Sequence, residues 1–266
     1  MPWVRLHGTK DYLYIARQIG NFPEVRSVVN FSSSLLEQIE LYGQGVQDDH
    51  QALCRRPPED LTPSEISWLI QNSFFGIPER LIHPYRPYYE LMAKVGREQS
   101  LSIQEIRDLQ VWSNLAWMDP QWKREEPLGR ELLTKAGHFT EEEKNLLLKA
   151  QPDLLAAIIP AYRALEETGQ VEISASPWAH PILPLLCDTR IAQQTNPGMP
   201  LPVEAYSFPS DATWHLGNAV RQHTCWFGRS PRGLWPSEGS VSSAILPLIA
   251  EAGFRWLATD EEILWK

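Results

Sequence analysis

Residues 233–242, with the sequence GLWPSEGSVS, place one carboxylate beside a large aromatic side chain. The indole of Trp235 has a flat apolar face on which a sugar ring can stack. Glu238 stands between Pro236, which fixes a bend, and Gly239, which lets a ligand approach the backbone. Enzymes that cleave glycosidic bonds usually use two carboxyl groups, about 5 Å apart in retaining enzymes and roughly 6.5–9.5 Å apart in inverting ones. These residues therefore predict sugar chemistry that needs a second carboxyl group.

The composition excludes several classes of protein. The chain has 266 residues, of which 43% are hydrophobic, and this suffices for one large α/β domain. A net charge of −9, without a run of Lys or Arg, argues against nucleic acid as a partner. The sequence lacks an apolar segment of ~20 residues and the apolar core of a signal peptide, so we expect no membrane partner and a cytoplasmic location. Cys54, Cys187 and Cys225 form no CxxC pair, which fits reduced thiols.

Four segments have the pattern of short β-strands. They cover residues 28–31, 171–175, 233–235 and 256–259, with helical stretches between them. The order strand, helix, strand predicts parallel pairing through right-handed crossovers, as in a (β/α) barrel. Four strands do not close a barrel of the common kind, so we expect exposed sheet edges and an incomplete sequence.

The strand at 171–175 indicates where function lies. Its alternation puts Glu172 and Ser174 on the face opposite Val171 and Ile173. The loop that follows contains His180. Because barrel enzymes collect their functional groups at the C-terminal ends of the strands, we expect Glu172, His180 and Glu238 to converge there.

A helical insertion is expected over residues 60–168, where almost nothing resembles a strand. Thr62-Pro63-Ser64-Glu65 and Thr140-Glu141-Glu142-Glu143 have the composition of capped helix starts. The aromatic residues of this stretch either line a carbohydrate cleft or fill the core of the insertion, and the second alternative is the commoner one. They are Trp68, Phe74, Phe75, Tyr85, Tyr88, Tyr89, Trp112, Trp117 and Trp122.

Four blocks in this order resemble the catalytic domain of glycoside hydrolase family 57, the α-amylase and amylopullulanase type. They are PWVRLH at 2–7 with KDY at 10–12, NF at 30–31 with SLL at 34–36, GQVEIS at 169–174 with HPILPLL at 180–186, and WPSEGSVS at 235–242 with ATDE at 258–261. The resemblance spans nearly the whole chain.

The resemblance implies a retaining enzyme with an α-glucan or malto-oligosaccharide as substrate. The expected fold class is α/β, a partial (β/α)7-type barrel with a large helical insertion. By this resemblance Glu238 is the catalytic nucleophile, and Glu172, His180 and Asp260 belong to the substrate site, where Trp235 adds its aromatic face. No cofactor and no metal site are expected, since His138, His215 and His223 are scattered singly.

Two motifs of the family have no counterpart in these 266 residues. The family opens with a His-x-His-Gln-Pro type motif, and its acid/base aspartate lies in an Asp-Gly-Glu-Asn type block. We therefore expect a central part of the catalytic domain, truncated at both ends, which is inactive or nearly so alone and marginal as a soluble monomer. The missing remainder of the barrel is then a possible partner.

Several alternatives stay open at the level of sequence. Asp260 follows a strand adjacent to that of Glu238. Because neighbouring strands lie about 4.8 Å apart, these two carboxylates could form a retaining pair. The resemblance favours a sugar-orienting role for Asp260 instead. Asp260 could also be a plain helix cap, Glu172 an edge-strand group in solvent, and His180 structural. The alternative to an enzyme is an inactive carbohydrate-binding or non-functional remnant.

Overall fold

The computed structural model describes residues 2–74 and 76–264, which form helices and one four-stranded sheet. In chain order the elements are α1 (Trp3–His7), a π-helical turn (Gly8–Tyr12), α2 (Leu13–Gly20), β1 (Ser27–Phe31), α3 (Ser33–Gly43), α4 (Asp49–Arg55), a 3-10 turn (Pro58–Asp60), α5 (Pro63–Gln71), α6 (Pro78–Leu81), α7 (Arg86–Gly96), α8 (Ile103–Leu115), α9 (Pro120–Glu125), α10 (Pro127–Lys135), α11 (Glu141–Ala156), α12 (Ile158–Glu167), β2 (Val171–Ala175), α13 (Leu183–Cys187), a 3-10 turn (Thr189–Ile191), α14 (Ala192–Thr195), α15 (Pro209–Phe227), β3 (Gly233–Leu234), a 3-10 turn (Ser237–Gly239), α16 (Leu246–Glu251), β4 (Trp256–Leu257) and α17 (Glu261–Leu264).

The chain divides into two compact units. A helical unit comprises Met1–Ile19 and Ile39–Ile158, and a sheet unit comprises Gly20–Gln38 and Ile159–Lys266. No strand occurs among the described residues between 60 and 168.

Three helices of the helical unit begin with a reciprocal capping box. At the starts of α5, α8 and α11, a Ser or Thr side chain accepts a hydrogen bond from the backbone N–H of residue N3. The glutamate side chain at N3 in turn accepts one from the backbone N–H of the cap residue. Each pair satisfies two donors that a helix start leaves open. The boxes at Thr62 and Thr140 are the two that the sequence predicts, and the third is at Ser102.

Aromatic side chains fill much of the core of the helical unit. Trp112 and Tyr88 are each 1% exposed and stack with their ring centroids 6.2 Å apart, and Trp117 is 3% exposed. Trp68 and Tyr89 are exposed instead. The core alternative is therefore confirmed for the buried members of this set, while Phe75 lies outside the described residues.

A fully buried arginine connects four parts of the helical unit. The guanidinium of Arg5 in α1 donates from Nε to Asp48 Oδ2 at 2.5 Å and from Nη1 to Asn114 Oδ1 in α8 at 3.0 Å and Gln151 Oε1 in α11 at 3.4 Å. The same Asp48 carboxylate caps α4 by accepting the N–H of Gln51 at 2.9 Å. A buried charge is tolerated only when its donors are paired, and these contacts supply the pairing.

The four strands of the sheet unit are parallel and lie in the order β1-β2-β3-β4, so the predicted arrangement is confirmed. The sheet is open, and its strands do not close a barrel. One of its faces packs against α15 and α16, where Ala175 and Leu234 contact a cluster that includes Leu216 and Ile249. The fold is thus a partial (β/α)-barrel type of α/β structure with a large helical unit.

The strands β3 and β4 are shorter than the sequence predicts. Regular pairing in β3 and β4 covers two residues each, so the expected strands at 233–235 and 256–259 are too long. The next helix, α16, starts only at Leu246. Pro247 explains this, because its fixed φ and missing N–H suit the first turn of a helix.

Two further features concern the cysteine thiols and the lengths of the helices. Cys54 and Cys187 are buried free thiols, and Cys225 is an exposed one. No helix in residues 2–74 and 76–264 is both long and apolar enough to cross a membrane.

The buried histidine of α4 predicts a pH dependence of stability. His50 is 1% exposed, and burial together with the nearby Arg5 charge lowers its pKa to about 3, although Asp48 opposes the shift. An unfolded histidine titrates near pH 6.5, so between pH 6.5 and 3 the unfolded chain binds a proton that the folded chain does not. The free energy of unfolding should therefore fall as the pH drops below 6.5, by up to about 1.4 kcal/mol per pH unit from this residue.

Urea unfolding at pH 7 and pH 5 measures the effect. Wild type should lose about 2 kcal/mol more than His50→Asn over this interval, because the variant lacks the titrating ring. His83→Asn, at an exposed histidine, controls for the substitution itself. A pH dependence of His50→Asn equal to that of wild type would show that His50 does not carry the effect.

Candidate functional site

The C-terminal edge of the sheet brings the predicted loops to a common level. Beyond the paired residues of β3, Trp235 N donates to Ala175 O at 2.8 Å, and Ala258 N donates to Leu234 O at 3.0 Å. The chain segments that follow β2, β3 and β4 therefore leave the sheet from the same edge. In parallel α/β sheets this edge is where ligands bind.

Glu238 lies directly beyond β3 in a strained turn. Its backbone has φ 55° and ψ 22°, a left-handed conformation that a residue with a Cβ rarely adopts, and its side chain is exposed. Gly239 N donates to Pro236 O at 2.9 Å, and Gly239 O accepts from Thr259 Oγ1 at 3.0 Å. The second bond ties the turn to the residue before Asp260.

Trp235 presents an aromatic surface at the same edge. Its side chain is 48% exposed, although its backbone N–H is bonded to β2.

Next to Glu238, the hydroxyl of Ser237 is buried and has no hydrogen-bond partner among the residues that the structure describes. A buried, unpaired polar group costs about 1–3 kcal/mol, and such groups call for an explanation in native structures.

His180 follows β2 in a second left-handed turn. Its φ is 58°, its N–H donates to Pro177 O at 2.9 Å, and its side chain is exposed. Trp178 anchors the loop, since its N–H donates to His215 O in α15 at 3.3 Å. Within the described part of the sheet unit, His180 and Glu238 are the only non-glycine residues with positive φ. Backbone strain of this kind concentrates at functional sites, so the two turns support the predicted site.

Glu172 lies further from this edge than expected. It is the second residue of β2 and pairs in register with Val28, whereas the strand ends at Ala175. Its Oε1 accepts a hydrogen bond from Trp256 Nε1 at 2.8 Å. The expectation that Glu172 converges with His180 and Glu238 at the strand ends is therefore wrong in position. A role of Glu172 in substrate binding stays a prediction.

A polar layer covers the face of the sheet that carries Glu172. Ser174 Oγ donates to Asn30 Oδ1 at 3.1 Å, and Asn30 Nδ2 donates to Ser176 Oγ at 2.9 Å. Ile173, which points to the other face, is 0% exposed. The two faces are therefore divided as the alternation in the sequence predicts. The sequence signals Asn30 only weakly, because it is a single polar residue between Val29 and Phe31 in a short strand.

Asp260 lies at the start of α17. Its side chain is exposed, and Oδ1 accepts the backbone N–H of Glu262 at 2.8 Å. This is the helix-capping arrangement that the sequence left open as an alternative. The bond from Thr259 to Gly239 O brings the neighbouring Asp260 close to the Glu238 turn.

The described residues contain no group of three or more His, Cys, Asp and Glu side chains that could hold a metal ion.

Comparisons with known proteins identify one family. The sequence model described as Glycosyl hydrolase family 57 matches residues 1–264. No curated protein matches the chain.

Among solved structures, an α-amylase from Thermotoga maritima has 14% identity and a TM-score of 0.48 over 99% of this chain and 36% of its own. A family 57 branching enzyme from Thermococcus kodakaraensis has 16% identity and a TM-score of 0.43 over 96% of this chain and 34% of its own. A branching enzyme of the same type from Pyrococcus horikoshii has 15% identity and a TM-score of 0.39 over 89% and 30%. The chain thus spans about a third of the length of these proteins.

The contact between β3 and β4 gives a testable prediction. The Trp256 indole lies over Gly233, and a Cβ at position 233 would lie 2.0 Å from Trp256 Cζ2. Gly233→Ala should displace the indole, break its bond to Glu172 and lower the free energy of unfolding by about 1–3 kcal/mol, as overpacking usually does. Urea unfolding measures the change.

Gly217→Ala is the matched control. Gly217 lies inside α15, and a Cβ there meets no atom of the described residues within 4 Å. Alanine favours helix over glycine by up to about 1 kcal/mol, so this variant should be as stable as wild type or more so. Equal unfolding free energies for the two variants would show that the packing over Gly233 is not tight.

Proposed function

The chain belongs to glycosyl hydrolase family 57, and we propose that its sheet unit carries the nucleophile of a retaining site that cleaves or transfers α-glucans. One observation carries the proposal. Glu238 holds an exposed carboxylate in a left-handed turn at the C-terminal edge of a parallel sheet, three residues after the exposed Trp235. Position and strain both fit a group that touches substrate.

The proposed reaction has two steps. A glucosyl ring packs on Trp235, and the Glu238 carboxylate attacks the anomeric carbon of that ring. The bond from this carbon to the leaving oxygen breaks at the same time, and the leaving oxygen takes a proton from an acid. Water then attacks the glycosyl ester, loses its proton to the same group and releases Glu238 as carboxylate. An acceptor hydroxyl in place of water gives transfer instead of hydrolysis.

We assign proton donation to a group other than Asp260. Its Oδ1 is already engaged by the N–H of Glu262, and the family resemblance places the acid in an Asp-Gly-Glu-Asn block that these 266 residues do not contain. Asp260 and His180 are proposed to orient the sugar. Glu172 is proposed to act from further down the same face, where it fixes the Trp256 indole.

The absent acid block also supports a second candidate, a carbohydrate-binding remnant without turnover. Both candidates predict that a malto-oligosaccharide binds at the sheet edge. They differ in whether Glu238 reacts.

A glycoside with an activated leaving group separates them, because it needs little protonation. We expect an activated aryl α-glucoside to glucosylate Glu238, and peptide mass spectrometry to find one added glucosyl residue there. Glu238→Gln should lower the labelling rate by far more than tenfold, which corresponds to ~1.4 kcal/mol, since the nucleophile itself is removed. Glu251→Gln, at an exposed glutamate of α16, is the matched control and should label as wild type does.

The outcome decides between the candidates. Binding of maltotriose without any glucosyl ester would favour the remnant. An ester on a carboxylate other than Glu238, or more than a tenth of the wild-type rate in Glu238→Gln, would contradict the assignment of the nucleophile.

Unactivated substrate should behave differently. We expect these 266 residues alone to hydrolyse amylose very slowly, because general acid help to a leaving group contributes about 10²–10⁴-fold. Reducing-sugar release over hours measures this. Sustained amylose turnover that Asp260→Asn abolishes would make Asp260 the proton donor.

A further inference from the structure

The helical unit contains a cavity with an unusual lining. Its volume is about 710 Å³, within the range of small-molecule sites. The lining residues are Trp3, His7, Lys10, Gly76, Ile77, Arg80, Leu81, Tyr85, Ala116, Trp117, Pro120, Lys123, Arg124 and Leu133, all from the helical unit. We call it the basic cavity.

The charged side chains that line the basic cavity are all of one sign. Four of its described lining residues are Lys or Arg and none is Asp or Glu, although the whole chain has a net charge of −9. Lys10 is balanced by Asp11, which also bonds to His7 at 2.7 Å. For Lys123, Arg80 and Arg124, no ion pair occurs among residues 2–74 and 76–264. Cations held together without counter-charges repel one another, and a bound anion would relieve this repulsion.

Lys123 is the most constrained of these cations. It is 8% exposed, and its ammonium group donates to two neutral acceptors, Tyr85 Oη at 2.9 Å and Ala116 O at 3.2 Å. Burial first, then the charges of Lys10 and Arg124, lower its pKa to about 8, while Asp119 and Asp11 act in the opposite direction. Asp119 itself is paired with Arg17 at 3.1 Å.

The other wall of the basic cavity is aromatic. Trp3 and Trp117 meet edge to face with their ring centroids 5.9 Å apart, and Trp3 is 43% exposed. Lys10 Nζ lies 5.6 Å from the centroid of the Trp117 ring. Such surfaces pack well against the apolar face of a ring, whether of a sugar or of a base.

We propose that the basic cavity binds a phosphate monoester carried on a ring, with the phosphoryl group at Lys123 and Arg124 and the ring against the exposed indole of Trp3. A phosphoryl group offers three acceptor oxygens and nearly two negative charges at neutral pH, which suits several cations better than a single carboxylate does. All the residues of this site belong to the helical unit, and the proposal does not depend on the role of Glu238.

Calorimetric titration of the full chain tests the chemistry of the ligand. The probes are glucose 1-phosphate, adenosine monophosphate, glucose and inorganic phosphate. At least one ester should bind at least tenfold more tightly than both glucose and inorganic phosphate, and added salt should weaken it. Tighter binding of glucose 1-phosphate than of adenosine monophosphate assigns the ring as a sugar, and the reverse order assigns a nucleoside.

Variants test the location of the site. Lys123→Met and Arg124→Met should each weaken ester binding at least tenfold, and Lys149→Met, at an exposed lysine of α11, should not. Arg124 is exposed, so its variant keeps the test decisive if Lys123→Met does not fold. Trp3→Ala should weaken ester binding and leave inorganic phosphate unchanged.

Proton uptake gives a readout that a purely structural role of Lys123 would not produce. At pH 8 the ester is already a dianion, and its charge should raise the pKa of Lys123, so binding should take up a proton in wild type and not in Lys123→Met. The heat measured in buffers of different ionisation enthalpy reports this uptake. Equal affinity for glucose and its phosphate, no binding of either ester at millimolar concentration, or an equal loss in Lys149→Met would each overturn the proposal.

Discussion

The parallel register of four short strands fixes where every chemical group of the sheet unit lies. Gly233 pairs with Trp256 and Leu234 with Leu257, so the chain leaves both strands at the same level. A shift by one residue would turn Trp235 and Glu172 to the opposite faces, since side chains alternate along a strand. The absence of a side chain at Gly233 permits this register, because the Trp256 indole occupies the space. The position of the Glu238 carboxylate therefore depends on this packing, although the carboxylate itself is exposed.

The helical unit is organised by a different kind of interaction. Its centre holds the charge of Arg5, and the acceptors of that charge come from α8, α11 and the cap of α4. Apolar packing alone tolerates small shifts between helices, whereas a buried guanidinium requires each acceptor at its own position. Burial first, and then the same positive charge, lower the pKa of His50 and keep its ring neutral. The positions of the helices in this unit are therefore fixed by electrostatic contacts as well as by steric ones.

The sequence predicts features that depend on local pattern and misses those that depend on distant contacts. Alternation in β2 and the capping boxes at Thr62 and Thr140 are local, and the structure has them as predicted. The bond between Glu172 and Trp256 joins residues 84 positions apart, so no periodicity reveals it. The left-handed turn at His180 was equally hidden, since residues with a Cβ normally avoid it. The basic cavity collects its cations from three separate stretches, and their spacing carries no motif.

The left-handed backbone at Glu238 has a consequence for how this protein responds to selection. Glycine adopts that conformation freely, whereas a residue with a Cβ costs about 1–2 kcal/mol there. A screen for thermal stability alone would therefore favour glycine at this position and remove the carboxylate. Protein stability and the proposed chemistry of the sheet edge are in this sense opposing demands on one residue. Stabilising changes compatible with function have to come from elsewhere, such as the hydrophobic cluster behind β2 and β3, where Leu216 and Ile249 pack.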